Sequence, residues 1–137
     1  MIKKLIFLFI FYLFMSVNFA MAEKKSLSNY LWENRLLIIS FVKGDNEVKN
    51  STNEYIKKNQ CQFDDRNLKV IFFENYKNSN YQTPSYVNNK FGFWLVGYDS
   101  GVKLFSKDIS ILKNIFNTID SMPMRKNEMS SKTSKCN

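Results

Sequence analysis

No histidine occurs among the 137 residues, which removes the side chain that most often serves as general base or metal ligand near neutral pH. Ser–His and Cys–His nucleophile pairs are excluded with it. Cysteine is almost as scarce, with Cys61 and Cys136 alone. Two thiols and no imidazole cannot complete a structural zinc site, which takes four N or S ligands. The four glycines, Gly44, Gly92, Gly97 and Gly101, are dispersed, so no glycine-rich phosphate loop exists. Acidic residues are the minority, 12 against 20 Lys and Arg, for a net charge of +8. A basic balance can signal nucleic acid or an anionic membrane, but these lysines are scattered rather than striped, and no nucleic-acid-binding motif accompanies them. The composition implies no metal, no cofactor and no nucleic-acid partner.

A long apolar run is present once, from Leu5 to about Val17, behind the positive pair Lys3 and Lys4. Ala20-Met21-Ala22 follows with the small residues that signal peptidase requires. Residues 1–22 therefore read as a cleaved signal peptide, and the protein as exported, periplasmic or secreted. The competing reading is an uncleaved anchor, the one case in which the chain would contact a membrane. It is disfavoured because a span needs ~20 apolar residues. Cleavage would leave 115 residues carrying a charge of +6, the size of one small domain.

The mature chain divides into a flexible lead over 23–28, a domain over 29–125 and a disordered tail over 126–137. Tyr30, Leu31 and Trp32 are apolar bulk expected to pack over the sheet edge. Leu36 to Val42 is a continuous apolar run, the mark of a strand buried on both faces. Gly44, Asp45 and Asn46 break it, and Asp45 or Asn46 can cap the helix that follows. From Glu47 to about Gln62, Val48, Thr52, Tyr55, Ile56 and Phe63 recur near a 3.6 period. Leu68 to Phe73 is the second strand, completing a parallel βαβ unit. Asn75 to Lys90 is polar, rich in Asn and Tyr, and reads as a long mobile loop. Phe91–Tyr98 and Val102–Phe105 form a hairpin through Asp99-Ser100-Gly101, with Gly101 expected at positive φ. Ile109, Leu112, Ile115, Phe116, Ile119 and Met122 then mark an amphipathic helix that Pro123 should end. The expected order is β-α-β-(loop)-β-β-α, an α/β three-layer domain on a mixed sheet.

Few positions can carry chemistry. Cys61, near the end of the expected first helix, is the weak catalytic candidate, placed where the helix dipole raises a thiol pKa. Three states are open to Cys61 and Cys136 on sequence alone: a bridge between them, one buried and one free, or a bond to another chain. The turn from Lys43 to Glu47 has the best physical claim to a ligand, since free N–H groups at a helix start attract anions. The competing reading is an ordinary capped helix with a solvated lysine. Lys43, Gly44, Asp45, Asn46, Lys90 and Gly92 form the expected ligand or partner surface, where strand one ends and strand three begins. Arg35, Lys103 and Arg125 read as isolated surface or pairing cations. Asp120 and Glu128 can pair with Arg125 across the helix end, which would make the Met-Pro-Met-Arg ending structural.

Four blocks carry a family resemblance. They are Trp32-Glu33-Asn34-Arg35-Leu36-Leu37, Arg66-Asn67-Leu68-Lys69-Val70, Leu95 to Leu104 with Gly97, Asp99, Gly101 and Lys103, and Ile119-Asp120-Ser121-Met122-Pro123-Met124-Arg125. Over about Leu27 to Glu128 the chain resembles domain of unknown function family 4174. That resemblance implies a thioredoxin-like fold distantly related to peroxiredoxins. It also implies export, since the family occurs in short exported bacterial proteins and in secreted animal matrix proteins. It implies no established activity, although an oxidoreductase role has been suggested from the fold. The chain departs from redox-active relatives: Lys43-Gly44-Asp45-Asn46 stands where Cys-x-x-Cys would be, no peroxidatic Cys follows strand one, and no Pro enters strand three. Fold analogy alone does not transfer function. The reading is an exported, non-catalytic thioredoxin-like domain that binds an unknown protein or small anionic ligand. The alternative is a thiol or peroxide oxidoreductase using Cys61.

Overall fold

The computed structural model describes residues 22–134 and 136. Residues 1–21, which hold nearly all of the expected signal peptide, lie outside the described residues, as do Lys135 and Asn137. A 3-10 turn, Leu27–Tyr30, precedes strand β1, Arg35–Phe41. Helices α1, Asn46–Lys58, and α2, Gln60–Asp65, lead to β2, Leu68–Glu74. A long connection reaches β3, Gly92–Val96, and β4, Val102–Ser106. A second 3-10 turn, Ile109–Lys113, is followed by α3, Ile115–Asp120, and α4, Pro123–Ser131. Among the described residues no helix is long and apolar enough to cross a membrane.

The strands form one mixed sheet in the order β2-β1-β3-β4. β1 and β2 are parallel, with Arg35 opposite Leu68, while β3 is antiparallel to both β1 and β4. This is a mixed α/β domain. β1 lies at the centre, and all seven of its residues are buried, which is why its sequence is a continuous apolar run. Leu37, Ile39 and Phe41 meet Phe63, Ile111, Leu112, Ile115 and Ile119 on the helical face. Leu36 and Ile38 face the other way, onto Trp94, Val87 and the half-buried Tyr30, Tyr81 and Tyr86. Each fully buried aliphatic or Phe side chain of this kind contributes about 1.5–3 kcal/mol.

Several expectations change in contact with the packing. The Asn75–Lys90 segment contains no helix, as read, but it serves as the cover of the second sheet face. Val87 is fully buried there, Tyr81 forms an isolated backbone bridge with Lys25, and the Asn78 side chain binds both the Phe72 carbonyl and the Tyr81 N–H. The first helix breaks at Asn59, so Cys61 is the second residue of α2 and not the end of α1. The expected last helix is likewise interrupted at Asn114. Pro123 opens a helix instead of closing one: α3 has already ended at Asp120, and Pro123 is the first helical residue of α4. Proline is favoured at that position because its missing N–H would have no helical partner. Met122 before it is extended, φ −70° and ψ 140°, as a residue preceding proline prefers to be. Residues 126–131, expected in a disordered tail, therefore belong to α4. In the hairpin turn Ser100 takes the positive φ of 61°, because the Asp99 carboxylate accepts the Gly101 N–H and holds the loop from the other side.

Candidate functional site

The expected ligand surface lies where β1 ends. Asp45 caps α1, its carboxylate accepting the Val48 N–H at 3.2 Å. The Lys43 N–H donates to the Asn75 side chain at 2.9 Å, and Tyr76 stacks on Phe91 with ring centres 4.5 Å apart. Lys43, Gly44, Asn46 and Lys90 are exposed. Gly92 is not a surface: it is buried in β3 at φ +146°, and a Cβ there would lie 2.7 Å from the Ser106 carbonyl oxygen. The structure thus brings the loop, the helix start and the entrance to β3 together at one end of the sheet, as a capped helix start flanked by solvated lysines.

The residues of the four sequence blocks gather at the opposite end. Arg35 is the first residue of β1, yet its side chain is only 1% exposed. Its Nη1 donates to the Arg66 carbonyl at 2.9 Å, and Nη1 and Nη2 grip the two Glu128 carboxylate oxygens at 3.2 and 3.1 Å. The guanidinium plane lies 4.0 Å over the Tyr98 ring. Arg66 follows α2 and holds Asp120 in a two-pronged bond, Nε to Oδ1 at 3.0 Å and Nη2 to Oδ2 at 2.6 Å. Arg125, in α4, completes the cluster. Its Nε donates to Asp120 at 3.1 Å, its Nη1 to the Asp65 carbonyl at 2.7 Å, and its Nη2 to the Asp65 carboxylate. Three guanidinium groups thus face Asp65, Asp120 and Glu128 in a neutral, mostly buried set. Arg35 and Arg125 are not isolated cations. The Arg125 pairs with Asp120 and Glu128 are local, but Arg35 meets Glu128 across 93 residues and Arg125 meets Asp65 across 60, separations that no local sequence spacing displays.

The electrostatics follow from that geometry. Burial pushes the Asp120 carboxyl up, but hydrogen bonds from Arg66 and Arg125 outweigh it and hold the group below its ordinary value. Glu128 behaves alike: burial raises it, while the bonds from Arg35 and Arg125 bring it down overall. Burial raises the Tyr98 phenol. The carboxylates that could ligate a metal are committed to guanidinium groups, and among the described residues no cluster of three metal-binding side chains occurs. The network offers no free base and no activated nucleophile. Arg35 of this network also lines a cleft.

That cleft, about 340 Å³, is lined by Trp32, Arg35, Gly97, Tyr98, Asp99, Lys103, Met122, Pro123 and Met124. Trp32 stands at its rim, 60% exposed, with a left-handed φ of 64° fixed by its N–H donating to the Tyr98 carbonyl at 2.9 Å. It does not pack over the sheet edge as its bulk suggested; Tyr30 does that. Met124 is 46% exposed on the facing wall. Lys103 bonds Asp99 at 2.7 Å across the hairpin. Its stem crosses Gly97, where a Cβ would lie 2.6 Å from the lysine Cε. The absence of a Cβ at 97 lets the lysine stem lie that close, although a flexible side-chain end could shift to admit one. Hydrogen bonds from Lys103 and from the Gly101 N–H hold the exposed Asp99 carboxyl below its usual range.

Cys61 and Cys136 are joined in a disulfide with Cα atoms 5.7 Å apart. It closes one side of a second, wider groove of about 1210 Å³ between α2 and α4. Sequence reasoning missed Tyr98 as a site residue and missed that Arg35, Arg66 and Arg125 share one network. The available signal was an arginine heading a strand that is apolar but for Ser40, a place where only a paired cation is stable. Comparison with family models finds the one described as domain of unknown function (DUF4174), which matches residues 26–87 and 74–128. No curated protein and no solved structure matches the chain.

Proposed function

The chain belongs to the domain of unknown function family (DUF4174), and we propose that it serves as an exported, non-catalytic, thioredoxin-like binding module. The parallel β1–α1–β2 unit, the antiparallel β3–β4 hairpin and the β2-β1-β3-β4 order support the thioredoxin-like reading. The Lys3-Lys4 pair, the apolar run to Val17 and Ala20-Met21-Ala22 support export, as does a disulfide, a bond that persists in oxidising compartments.

The recognition site is the Trp32–Met124 cleft, in preference to the Lys43–Lys90 end. One observation carries this. Residues from three separate sequence blocks form a single concave surface, and its rim is an exposed tryptophan held in a left-handed backbone. Such a conformation costs on the order of 1–3 kcal/mol and collects at functional sites. An exposed tryptophan contributes little to a fold, but tryptophan is among the side chains that dominate interfaces. Because Lys103 is committed to Asp99, the cleft suits an apolar side chain of a protein partner better than a small anion. No group here can act as nucleophile or base without first losing a partner.

Selection of a displayed peptide library on the purified mature protein tests the reading. Peptides with an apolar anchor should be enriched. Trp32→Ala should then weaken the winners by at least ~30-fold, the effect of a ≥2 kcal/mol interface residue, with the fold unchanged by circular dichroism. No enrichment, or enrichment that survives Trp32→Ala, would refute it. If the protein instead reduces insulin disulfides and Cys61→Ser abolishes this, the oxidoreductase reading replaces it.

A further inference from the structure

We propose that the Cys61–Cys136 disulfide is a site of thiol–disulfide exchange with an external dithiol, and that its reduction unlatches α4 and with it one wall of the cleft.

The argument begins with how little else holds α4. Among its nine residues, Pro123 to Ser131, Arg125 alone is buried. The helix carries no apolar stripe, and a helix this short is not stable by itself. It docks through charge: Arg125 to Asp65 and Asp120, and Glu128 to Arg35. Beyond Ser131 even that ends. Among the described residues, the hydrogen bonds made from Lys132 onward are local, the Lys132 N–H to the Glu128 carbonyl and the Cys136 N–H to the Ser134 hydroxyl. The disulfide to α2 is what returns the tail to the domain.

The bond is also reachable. Cys61 is exposed in the first turn of α2, Cys136 is half-buried, and the groove beside them opens between α2 and α4. In the exchange, a thiolate of the dithiol attacks one of the two sulfurs and forms a mixed disulfide. The other protein sulfur leaves as a thiolate. The dithiol's second thiolate then attacks the dithiol's own first sulfur, and the protein sulfur held in the mixed disulfide leaves as the second thiolate. The dithiol is oxidised to a disulfide. The protein bond gains two electrons and, with two protons from solvent, becomes two thiols.

The consequence reaches the cleft because Met122, Pro123 and Met124 lead into α4 and form that wall. A helix tethered at both ends holds Met124 opposite Trp32; one tethered only by its ion pairs at its start and middle opens more often. This regulatory consequence rests on the cleft being the binding site. The exchange and the unlatching do not.

Amide hydrogen exchange on the full mature chain, oxidised and after treatment with dithiothreitol, tests it, with alkylation and mass analysis counting the thiols. Dithiothreitol should open the bond in the folded protein. Exchange across Met122–Ser131 should then accelerate at least ~10-fold, as a local opening does, while Arg35–Phe41 and Gly92–Val96 keep their protection. Cys136→Ser should give the same pattern without reductant. A bond that resists dithiothreitol until the domain unfolds, α4 protection that does not change, or equal loss everywhere would each overturn the proposal. Failure of the peptide selection in both redox states would remove the cleft reading and leave this result standing.

Discussion

Arg125 shows how much one side chain holds in this protein. Its guanidinium bonds to Asp65 in α2, Asp120 in α3 and Glu128 in its own helix. Arg125→Ala should cost about 3 kcal/mol, the lower end for breaking a buried ion pair, because these carboxylates keep some contact with water. In a domain of this size that lowers the melting temperature by ~10 °C. The same network sets the acid limit of stability. Asp120 and Glu128 are held below their unfolded values. Their contribution is therefore complete above the ordinary carboxylate range, about pH 4, and is lost as pH falls through the lowered folded values. Melting followed from pH 7 to pH 2 should show a steep acid limb in the wild type and a shallower one in Arg125→Ala. Equal limbs would mean that Arg125 does not hold these carboxylates. The local part was legible in the sequence, where Asp120 and Glu128 stand close enough to pair with Arg125; its bonds to Asp65 and its burial were not. Charge reveals its burial only when the chain brings distant segments together.

Elements differed in legibility for physical reasons. β1 could be read almost to the residue, because burial on both faces leaves a continuous apolar signature. The helical stripe through Leu112, Ile115 and Ile119 was equally visible, but the break at Asn114 was not, and in the 3-10 turn before it Ile111 is buried while Ile109, expected on the buried stripe, is exposed. Pro123 was recognised as a boundary while its direction was misjudged; a proline after a helical stripe can stop one helix or start another. Gly92 was assigned to a contact surface, whereas the structure explains it by the β3–β4 pairing. Its φ of +146° is a glycine conformation, and a Cβ would strike the Ser106 carbonyl, a backbone atom that cannot rotate away. Gly92→Ala should therefore destabilise the domain by about 2–3 kcal/mol, combining backbone strain with overpacking. A lowered urea midpoint with an unchanged slope would show it. Gly97→Ala should cost much less, because the neighbours it meets are the far ends of the Lys103 and Asp99 side chains.

At the scale of the whole molecule, the sheet separates two ends with different characters. One end holds the capped start of α1, exposed lysines and the stacked Tyr76 and Phe91. The other holds the arginine network, and in front of it the cleft between Trp32 and Met124. The sequence blocks that identify the family were legible, but their convergence was not, because Trp32, Lys103 and Met124 lie far apart along the chain. Attention fell on the first end because helix starts are recognisable in sequence and clefts are not. The central claim is that binding belongs to the second end. The most direct measurement is an amide chemical-shift map of the isotopically labelled mature protein on addition of a selected apolar-anchor peptide. The account predicts shifts concentrated at Trp32, Gly97, Tyr98, Lys103 and Met124. Shifts concentrated instead at Lys43–Glu47 and Lys90 would contradict it.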